Sequence, residues 1–205
     1  MILLLGGVGS GKSTAAEYLN NHYGIYIIEA DKTVHKLYEP GEAGSAYIRE
    51  LLGGEYLDGR GAVDRKKLSE ILFADSDIRE KVDLRLHALA KEAVLKEAAQ
   101  AEAGGYRIVC VEAALCPDDW KVLFDYIIYV YADLETRIAR LYEYRGMDRD
   151  RALRVIDAQP AEAWYRNIAD AVIDNSMGIK ELEKQTDEVI KHCERKLGQF
   201  DISGE

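Results

Sequence analysis

The residues best suited to chemistry lie near the amino terminus, in the stretch Gly6-Gly7-Val8-Gly9-Ser10-Gly11-Lys12-Ser13-Thr14. Closely spaced glycines let the backbone turn sharply, so that successive N–H groups can point at one polyphosphate. The Lys12 ammonium would lie near the β- and γ-phosphates, and the Ser13 hydroxyl could bind a Mg²⁺ ion that bridges them. A glycine-rich turn without a ligand is the alternative. The Lys-Ser pair favours a Walker A nucleotide-binding loop.

Asp31 is the best candidate for a group that accepts the proton of an attacking hydroxyl, which phosphoryl transfer to an alcohol requires. It follows the short apolar run at residues 25–28, and ligands of open α/β sheets bind outside the carboxyl ends of strands. An aspartate in this place also commonly caps a helix, here the one predicted at residues 31–38. Both roles stay open at this point, and they are compatible.

Glu112 is a second carboxylate that follows an apolar strand, the one predicted at residues 106–111. Nucleotide-binding proteins place an acid there to hold Mg²⁺ through water or to orient the attacking group. A solvated acid at the end of a strand is the alternative interpretation.

Arginines are unusually dense between residues 137 and 166 for so acidic a chain: Arg137, Arg140, Arg145, Arg149, Arg151, Arg154 and Arg166. Their planar, permanently charged guanidinium groups suit phosphate. Interleaved acids could instead pair with them on a solvated surface. We expect one or two to be functional, with Arg140 the strongest candidate. Of the histidines, His35 could face a substrate, whereas a lone histidine such as His87 is more often packed.

The elements that must position these residues alternate between strands and helices. The run Ile2-Leu3-Leu4-Leu5 predicts a buried first strand, and the helical spacing of apolar residues from Lys12 onward predicts a helix that Gly24 ends. Further strands are predicted at residues 25–28, 106–111, 126–131 and 171–173. Further helices are predicted at residues 31–38, 45–52, 64–73, 77–103, from 133 to about 144, from 148, from 160 and at 180–197. This alternation indicates an α/β fold with a parallel sheet and an inserted helical region.

Composition restricts the class of protein. The 205 residues, 48% apolar and 31% charged, suit one α/β domain. The formal net charge of −10 argues against nucleic acid or an anionic membrane as a partner, since both need a broad basic face. Three cysteines without a metal-binding spacing indicate reduced thiols. With no export signal and no apolar stretch of membrane-spanning length, we expect a cytoplasmic protein that acts on small molecules.

The combined motifs resemble the dephospho-CoA kinase family. Besides the phosphate loop, the matching segments are residues 29–31 and 38–41, Phe73-Ala74-Asp75 and Leu86-His87. Gln159 also matches, and it is followed at the family's spacing by Ala169-Asp170 and Val172-Ile173-Asp174-Asn175. The resemblance covers roughly residues 2 to 190. It implies transfer of the ATP γ-phosphate, with Mg²⁺, to the 3′-hydroxyl of dephospho-CoA.

The resemblance also implies a P-loop nucleotide-kinase-like three-layer fold. Its parts would be a core (residues 1–30, 104–136 and 169–197), an inserted CoA-binding helical region (31–103), a helical lid (137–168) and a loose tail (198–205). The residues implied to bind ATP are Gly7, Val8, Gly9, Ser10, Gly11, Lys12, Ser13, Thr14 and Asn175, the last beside the adenine. Lys12, Asp31 and Arg140 would be catalytic. The residues that we expect to contact the acceptor substrate are Asp31, His35, His87 and Glu112. We expect Ser13 to bind the metal ion.

Several positions depart from the family pattern. His35 stands where the family usually has arginine, Ala88 replaces the proline of Leu-His-Pro, and the segment after Glu112 differs. In the lid, Glu162 and Tyr165 occupy the places of an arginine pair. Two alternatives therefore stay open: a related kinase that uses another hydroxyl acceptor, and a nucleotide-binding protein with little phosphotransfer. The joint presence of Lys12, Ser13 and Asp31 argues against the second.

Overall fold

A single sheet organises the computed structural model, which describes residues 1–197; the tail predicted at 198–205 lies outside the described residues. The strands of this part of the chain are Ile2–Leu5 (β1), Tyr26–Glu29 (β2), Val109–Ala113 (β3), Tyr126–Tyr131 (β4) and Ala171–Asp174 (β5). They are ordered β2-β3-β1-β4-β5, and β1 pairs in parallel with both β3 and β4. The loop that follows β1 therefore emerges between the carboxyl ends of β3 and β4, where such sheets bind ligands.

Helices connect the strands, as parallel neighbours require. They are Lys12–Tyr23 (α1), Ala30–Leu37 (α2), Ala43–Leu52 (α3), Arg65–Ala74 (α4), Ser76–Ala103 (α5), Leu134–Arg145 (α6), Arg149–Asp157 (α7), Glu162–Ile168 (α8) and Ile179–Leu197 (α9). Aspartates cap four of them, because the side chains of Asp64, Asp75, Asp133 and Asp148 accept hydrogen bonds from amides of the first turn. The bonds from the Thr136 hydroxyl and amide lower the pKa of Asp133.

The third strand differs from the prediction. The apolar run predicts it at residues 106–111 with Glu112 after it, but the strand spans Val109–Ala113, so Glu112 lies inside it. Pairing with β1 explains the shift, since Ile2 and Leu4 lie opposite Cys110 and Glu112. The helix expected from Pro160 begins instead at Glu162, because Ala161 keeps an extended backbone as its N-cap residue.

The described chain divides into two compact units. The first comprises Met1–Ile28 and the described residues from Ala101 onward, and the second is Glu29–Gln100. The role of residues 31–103 as a CoA-binding insertion, and of residues 137–168 as a lid, stays a prediction.

One apolar cluster in the first unit supports the phosphate loop. Alternate residues of β1 and β4, such as Leu4 and Ile128, pack against Leu19 of α1 and Leu182 and Ile190 of α9. These side chains are almost entirely inaccessible to solvent, and each contributes about 1.5–3 kcal/mol on burial. The cluster holds α1 against the sheet and thereby sets the direction in which the amino terminus of this helix points.

The second unit is held by contacts between consecutive elements. The Val63 amide donates to the Tyr38 carbonyl at 2.9 Å, and Leu57 and Val63 form an antiparallel bridge. The α2 and α3 helices pack closely, since a Cβ on Gly44 would lie 2.6 Å from the Leu37 carbonyl oxygen. These contacts bring the start of α4 to the last turn of α2.

The fold also bears on two expectations from composition. Cys110, Cys116 and Cys193 are buried and unpaired, and burial raises the pKa of Cys116 and of Cys193 to about 11. Within residues 1–197, no helix has the length and apolar character needed to cross a membrane.

Candidate active site

The phosphate loop needs glycine at positions where its neighbours approach the backbone. Gly9 and Gly11 have φ angles of 77° and 88°, in the left-handed region that favours glycine. A Cβ on Gly11 would lie 2.0 Å from Nδ2 of Asn175, and one on Gly7 would lie 2.5 Å from Nη2 of Arg137. The glycines therefore serve two purposes: they permit the turn, and they admit the side chains that hold the loop from outside.

Lys12, Ser13 and Glu112 form a compact polar group at the start of α1. A single carboxylate oxygen of Glu112 accepts hydrogen bonds from the Lys12 ammonium at 2.5 Å and from the Ser13 hydroxyl at 2.8 Å. The Glu112 side chain is 7% exposed, and such burial makes the ion pair less subject to solvent screening than a surface pair. Glu112 faces α1 because it lies two residues after Cys110, on the face of β3 that packs against the core cluster.

This group also fits a magnesium ion. Mg²⁺ prefers oxygen ligands, takes one or two from protein, and completes its shell with water and substrate phosphates. The Ser13 hydroxyl and the Glu112 carboxylate are oxygen donors of that kind, held side by side. The expected metal-binding role of Ser13 stays a prediction.

Arg137 and Gln159 hold the peptide groups of Val8 from both sides. Oε1 of Gln159 accepts from the Val8 amide at 2.8 Å and from Nη2 of Arg137 at 3.0 Å. Nε of Arg137 in turn donates to the Val8 carbonyl at 2.8 Å. The amide of Val8 is thus bonded to protein, and so is that of Ser10, which donates to the Gly7 carbonyl at 3.1 Å; phosphate would bind other amides of the loop.

Arg140 and Asn175 hold the second half of the loop. Arg140 donates through Nη1 to the carbonyls of Gly9 and Ser10 at 3.3 and 3.2 Å, and through Nη2 to the carbonyl of Asn175 at 2.8 Å. The side chain of Asn175 is buried and donates to the Ser10 carbonyl at 2.8 Å. These bonds occupy the carbonyls of Gly9 and Ser10 and fix the backbone of this half of the loop.

Asp31 does not cap a helix, so that alternative is wrong. The N-cap of α2 is Glu29, and Asp31 lies in the first turn as an exposed residue. No hydrogen bond or ion pair of its carboxylate occurs among the described residues.

His35, one turn later, is exposed and has Nε2 3.0 Å from Nη2 of Arg65. His87 is exposed on α5, so the alternative of a packed histidine is wrong, and its place on the acceptor side stays a prediction.

The arginine-rich segment is not one surface. Arg137 and Arg140 contact the phosphate loop, whereas Arg149 pairs with Glu135 on the exterior at 2.6 Å. Arg166 pairs with Glu162 and lies 5.0 Å over the Tyr131 ring. The alternative of a solvated, acid-paired surface therefore holds for Arg149 and Arg166.

Tyr165 belongs to the core, although it occupies the place of a family arginine. Its ring stacks on that of Tyr129 with centroids 4.8 Å apart, and its hydroxyl donates to the Ala114 carbonyl at 3.0 Å. Burial raises the pKa of Tyr129 to about 12 and also raises that of Tyr165. Both phenols are therefore neutral at physiological pH and serve to dock α8 on β4.

Comparison with known proteins decides the family. The family model described as dephospho-CoA kinase matches residues 1–181. The dephospho-CoA kinase of Corynebacterium glutamicum is 33% identical over 190 residues, covering 91% of this chain and 96% of the relative. That of Streptomyces avermitilis is 35% identical, covering 91% and 90%. This chain belongs to the dephospho-CoA kinase family.

Solved structures agree with the family fold. TT1252 from Thermus thermophilus has a TM-score of 0.77 at 26% identity, over 93% of this chain and 96% of that one. Shikimate kinase from Acinetobacter baumannii, at 15% identity, has a TM-score of 0.53 over 93% and 90% of the two chains, which concerns the fold alone. The predicted α/β P-loop kinase fold is confirmed. A dephospho-CoA kinase family member is accordingly a phosphotransferase that uses ATP.

Sequence reasoning gave no role to two residues that contact the loop. Arg137 was only one member of the arginine-rich segment, and Gln159 entered only through its spacing from later motifs. The spacing of Gln159 from the last strand was the one signal that could have pointed to its role. Nothing in the local sequence requires a glutamine at that position. Its contact with Val8 spans 151 residues and depends on how α6 and the α7–α8 connection pack.

Proposed function

We propose that this protein transfers the γ-phosphate of ATP to the 3′-hydroxyl of the ribose of dephospho-CoA, which yields CoA and ADP. Family membership supports the reaction. The observation that carries it is the convergence of Lys12, Ser13 and Glu112 at the end of a glycine loop whose carbonyls accept hydrogen bonds from Arg137, Arg140 and Asn175. That arrangement combines amide donors, a cation and a carboxylate next to a hydroxyl that would bind the metal.

Of the loop residues Gly7 to Thr14, those whose amides are not bonded within the protein would bind the phosphates; the amides of Val8 and Ser10 donate to Gln159 and to Gly7. Lys12 would exchange its bond to Glu112 for the β- and γ-phosphates, where its charge offsets the negative charge that develops during transfer. Ser13 would hold Mg²⁺ together with Glu112, directly or through water. When bound, the ion supplies charge neutralisation between the β- and γ-phosphates. Asn175 would border the adenine.

Asp31 would act on the acceptor. As the acceptor oxygen forms its bond to the γ-phosphorus, the bond from that phosphorus to the β-bridging oxygen breaks, and Asp31 receives the hydroxyl proton. Its exposed carboxylate is committed neither to a cap nor to an ion pair among the described residues, which suits this role. His35 and His87 would contribute on the acceptor side.

A related kinase that uses a different hydroxyl acceptor is the second candidate. The observation that favours it is His35, since this position lacks the arginine usual in the family. In either case we propose a cytoplasmic enzyme whose partners are small molecules rather than nucleic acid or membrane, in keeping with the net charge of −10.

The experiment is to measure ADP formation with dephospho-CoA beside a panel of nucleosides and pantetheine compounds, and to identify products by mass. The proposal expects one phosphoryl group on dephospho-CoA and the highest kcat/KM for that acceptor. A Lys12→Ala variant serves as the blank for contaminating kinases. Faster transfer to another acceptor would establish the second candidate, and no transfer to any would refute both.

A further inference from the structure

Val8 is the only residue among positions 6–12 with an apolar side chain. That side chain packs against a second apolar cluster, formed by the buried side chains of Ile138 and Leu141 of α6 and Ala152 of α7. This α6–α7 cluster is separate from the core cluster that supports α1. The phosphate loop is therefore held by two groups of apolar side chains: by the core cluster through α1, and by the α6–α7 cluster through Val8.

Polar contacts bind the backbone of Val8 to the same region. Nε of Arg137, in the first turn of α6, donates to the Val8 carbonyl at 2.8 Å. Oε1 of Gln159, which lies shortly after the end of α7, accepts from the Val8 amide at 2.8 Å. The amide, the carbonyl and the side chain of one loop residue are thus all held by α6, α7 and the residues that follow α7.

The glycines on both sides of Val8 show how closely the loop approaches this support. A Cβ on Gly9 would lie 2.9 Å from the carbonyl oxygen of Arg137 and 3.2 Å from its Cα. A Cβ on Gly7 would lie 2.9 Å from Oε1 of Gln159. Since closely packed groups transmit a displacement to their neighbours, this part of the loop cannot shift without a shift of α6 or of the residues after α7.

The part of the loop that would bind phosphate follows this anchored part. It leads into α1, whose amino-terminal amides and helix dipole suit an anion. The position of Val8 relative to α1 therefore sets the shape of the phosphate site. If the packing of α6 on α7 favours the shape that binds phosphate, then bound phosphate must favour that packing by the same factor, because coupling between two sites is reciprocal.

We propose that Val8 is a positioning residue that couples the α6–α7 pair to nucleotide binding. The packing of α6 on α7 tunes the affinity of the loop for ATP, and ATP on the loop in turn stabilises that packing. The coupling concerns the nucleotide and not the acceptor, so it goes beyond the proposed reaction. It rests on the proposed function in one respect, which is the binding of ATP phosphates by the loop.

The first test is a double-mutant cycle on the Kd for the magnesium complex of AMP-PNP, a non-hydrolysable ATP analogue, measured by calorimetry. Ile156 of α7 packs on the same cluster as Val8. Val8→Ala and Ile156→Ala should each raise the Kd roughly 5-fold, at the lower end of ordinary coupling between sites. Because both act through one cluster, the double variant should bind only about 2-fold more weakly than the weaker single variant. Additive losses, about 25-fold together, would overturn the proposal.

Val155→Ala is the matched control for Ile156→Ala. Val155 is half-buried on the same helix but is not part of the α6–α7 cluster, so its truncation should leave the Kd unchanged. Equal effects of the two α7 variants would contradict the proposal. A thermal melt shows whether each variant folds. If Ile156→Ala does not fold, Ile156→Val, which removes one methyl group, replaces it in the cycle.

The second test measures the coupling in the opposite direction, by hydrogen exchange of backbone amides. Saturating AMP-PNP should slow exchange in α7 of the wild-type protein. In Val8→Ala this protection of α7 should shrink several-fold while that of α1 persists. Equal protection of α7 in both proteins, or none in the wild type, would overturn the inference. A wild-type protein that does not bind AMP-PNP at all would instead refute the proposed function, so the two failures are distinguishable.

Discussion

Oε1 of Gln159 lies 2.8 Å from the Val8 amide and 3.0 Å from Nη2 of Arg137, and it accepts a hydrogen bond from each. Both partners are donors, so the position requires an acceptor. We therefore predict that Gln159→Leu raises the KM for ATP about 10-fold, in line with the loss of hydrogen bonds worth about 1 kcal/mol each. Gln159→Glu, which also accepts, should stay near wild type. Steady-state kinetics checks this, and equal loss in both variants would contradict it.

Lys12→Ala should lower kcat by a factor on the order of 10³, the scale found when one donor to a developing charge is removed. The residue also pairs with buried Glu112, so the change leaves that carboxylate with Ser13 alone. Thermal unfolding, measured together with the kinetics, separates the loss of charge at the phosphates from the loss of the ion pair with Glu112. Turnover close to wild type would contradict the Walker A assignment.

Glu112→Gln keeps the size of the side chain and its hydrogen bond from Ser13 but removes the charge. If Glu112 helps to hold Mg²⁺, the concentration of Mg²⁺ that gives half-maximal rate should rise several-fold and kcat should fall. A Mg²⁺ titration of the initial rate measures both. Loss of stability with an unchanged Mg²⁺ requirement would assign Glu112 to the ion pair with Lys12 alone.

Asp31→Asn should lower kcat by roughly 10²- to 10⁴-fold, the usual contribution of a general base, with ATP affinity preserved. Because Asp31 does not cap α2, its replacement should lower the unfolding temperature only slightly, by the loss of a favourable charge in the first turn worth about 0.3–1 kcal/mol. Nucleotide binding by calorimetry and a thermal melt provide the check. A folded variant with normal kcat would exclude Asp31 as the base.

Arg140→Lys and Arg149→Lys both preserve net charge, which makes their contrast informative. Arg140 reaches three carbonyls with its planar fork, and lysine cannot span them, so we expect a clear drop in kcat and a smaller change in the KM for ATP. Arg149 forms an exposed pair with Glu135, a kind of pair worth about 0–1 kcal/mol, so its replacement should change little. Similar kinetics for the two variants would contradict a specific role of Arg140.

The sequence by itself determined the phosphate loop, the strand before it and the helix after it, because glycine spacing, the Lys-Ser pair and apolar periodicity act locally. It also determined helix starts such as Asp133 and Asp148, whose side chains bond amides only three residues away. The start of β3 was not determined locally, since it depends on where β1 pairs.

Only the tertiary structure decided which residues meet. Glu112 reaches Lys12 across 100 residues because the sheet places β3, rather than β2, beside β1. His35 meets Arg65 because α4 begins next to the last turn of α2, and Gln159 meets Val8 because the α7–α8 connection packs on the loop. Such contacts arise from the packing of whole elements, and no periodicity within one segment encodes them.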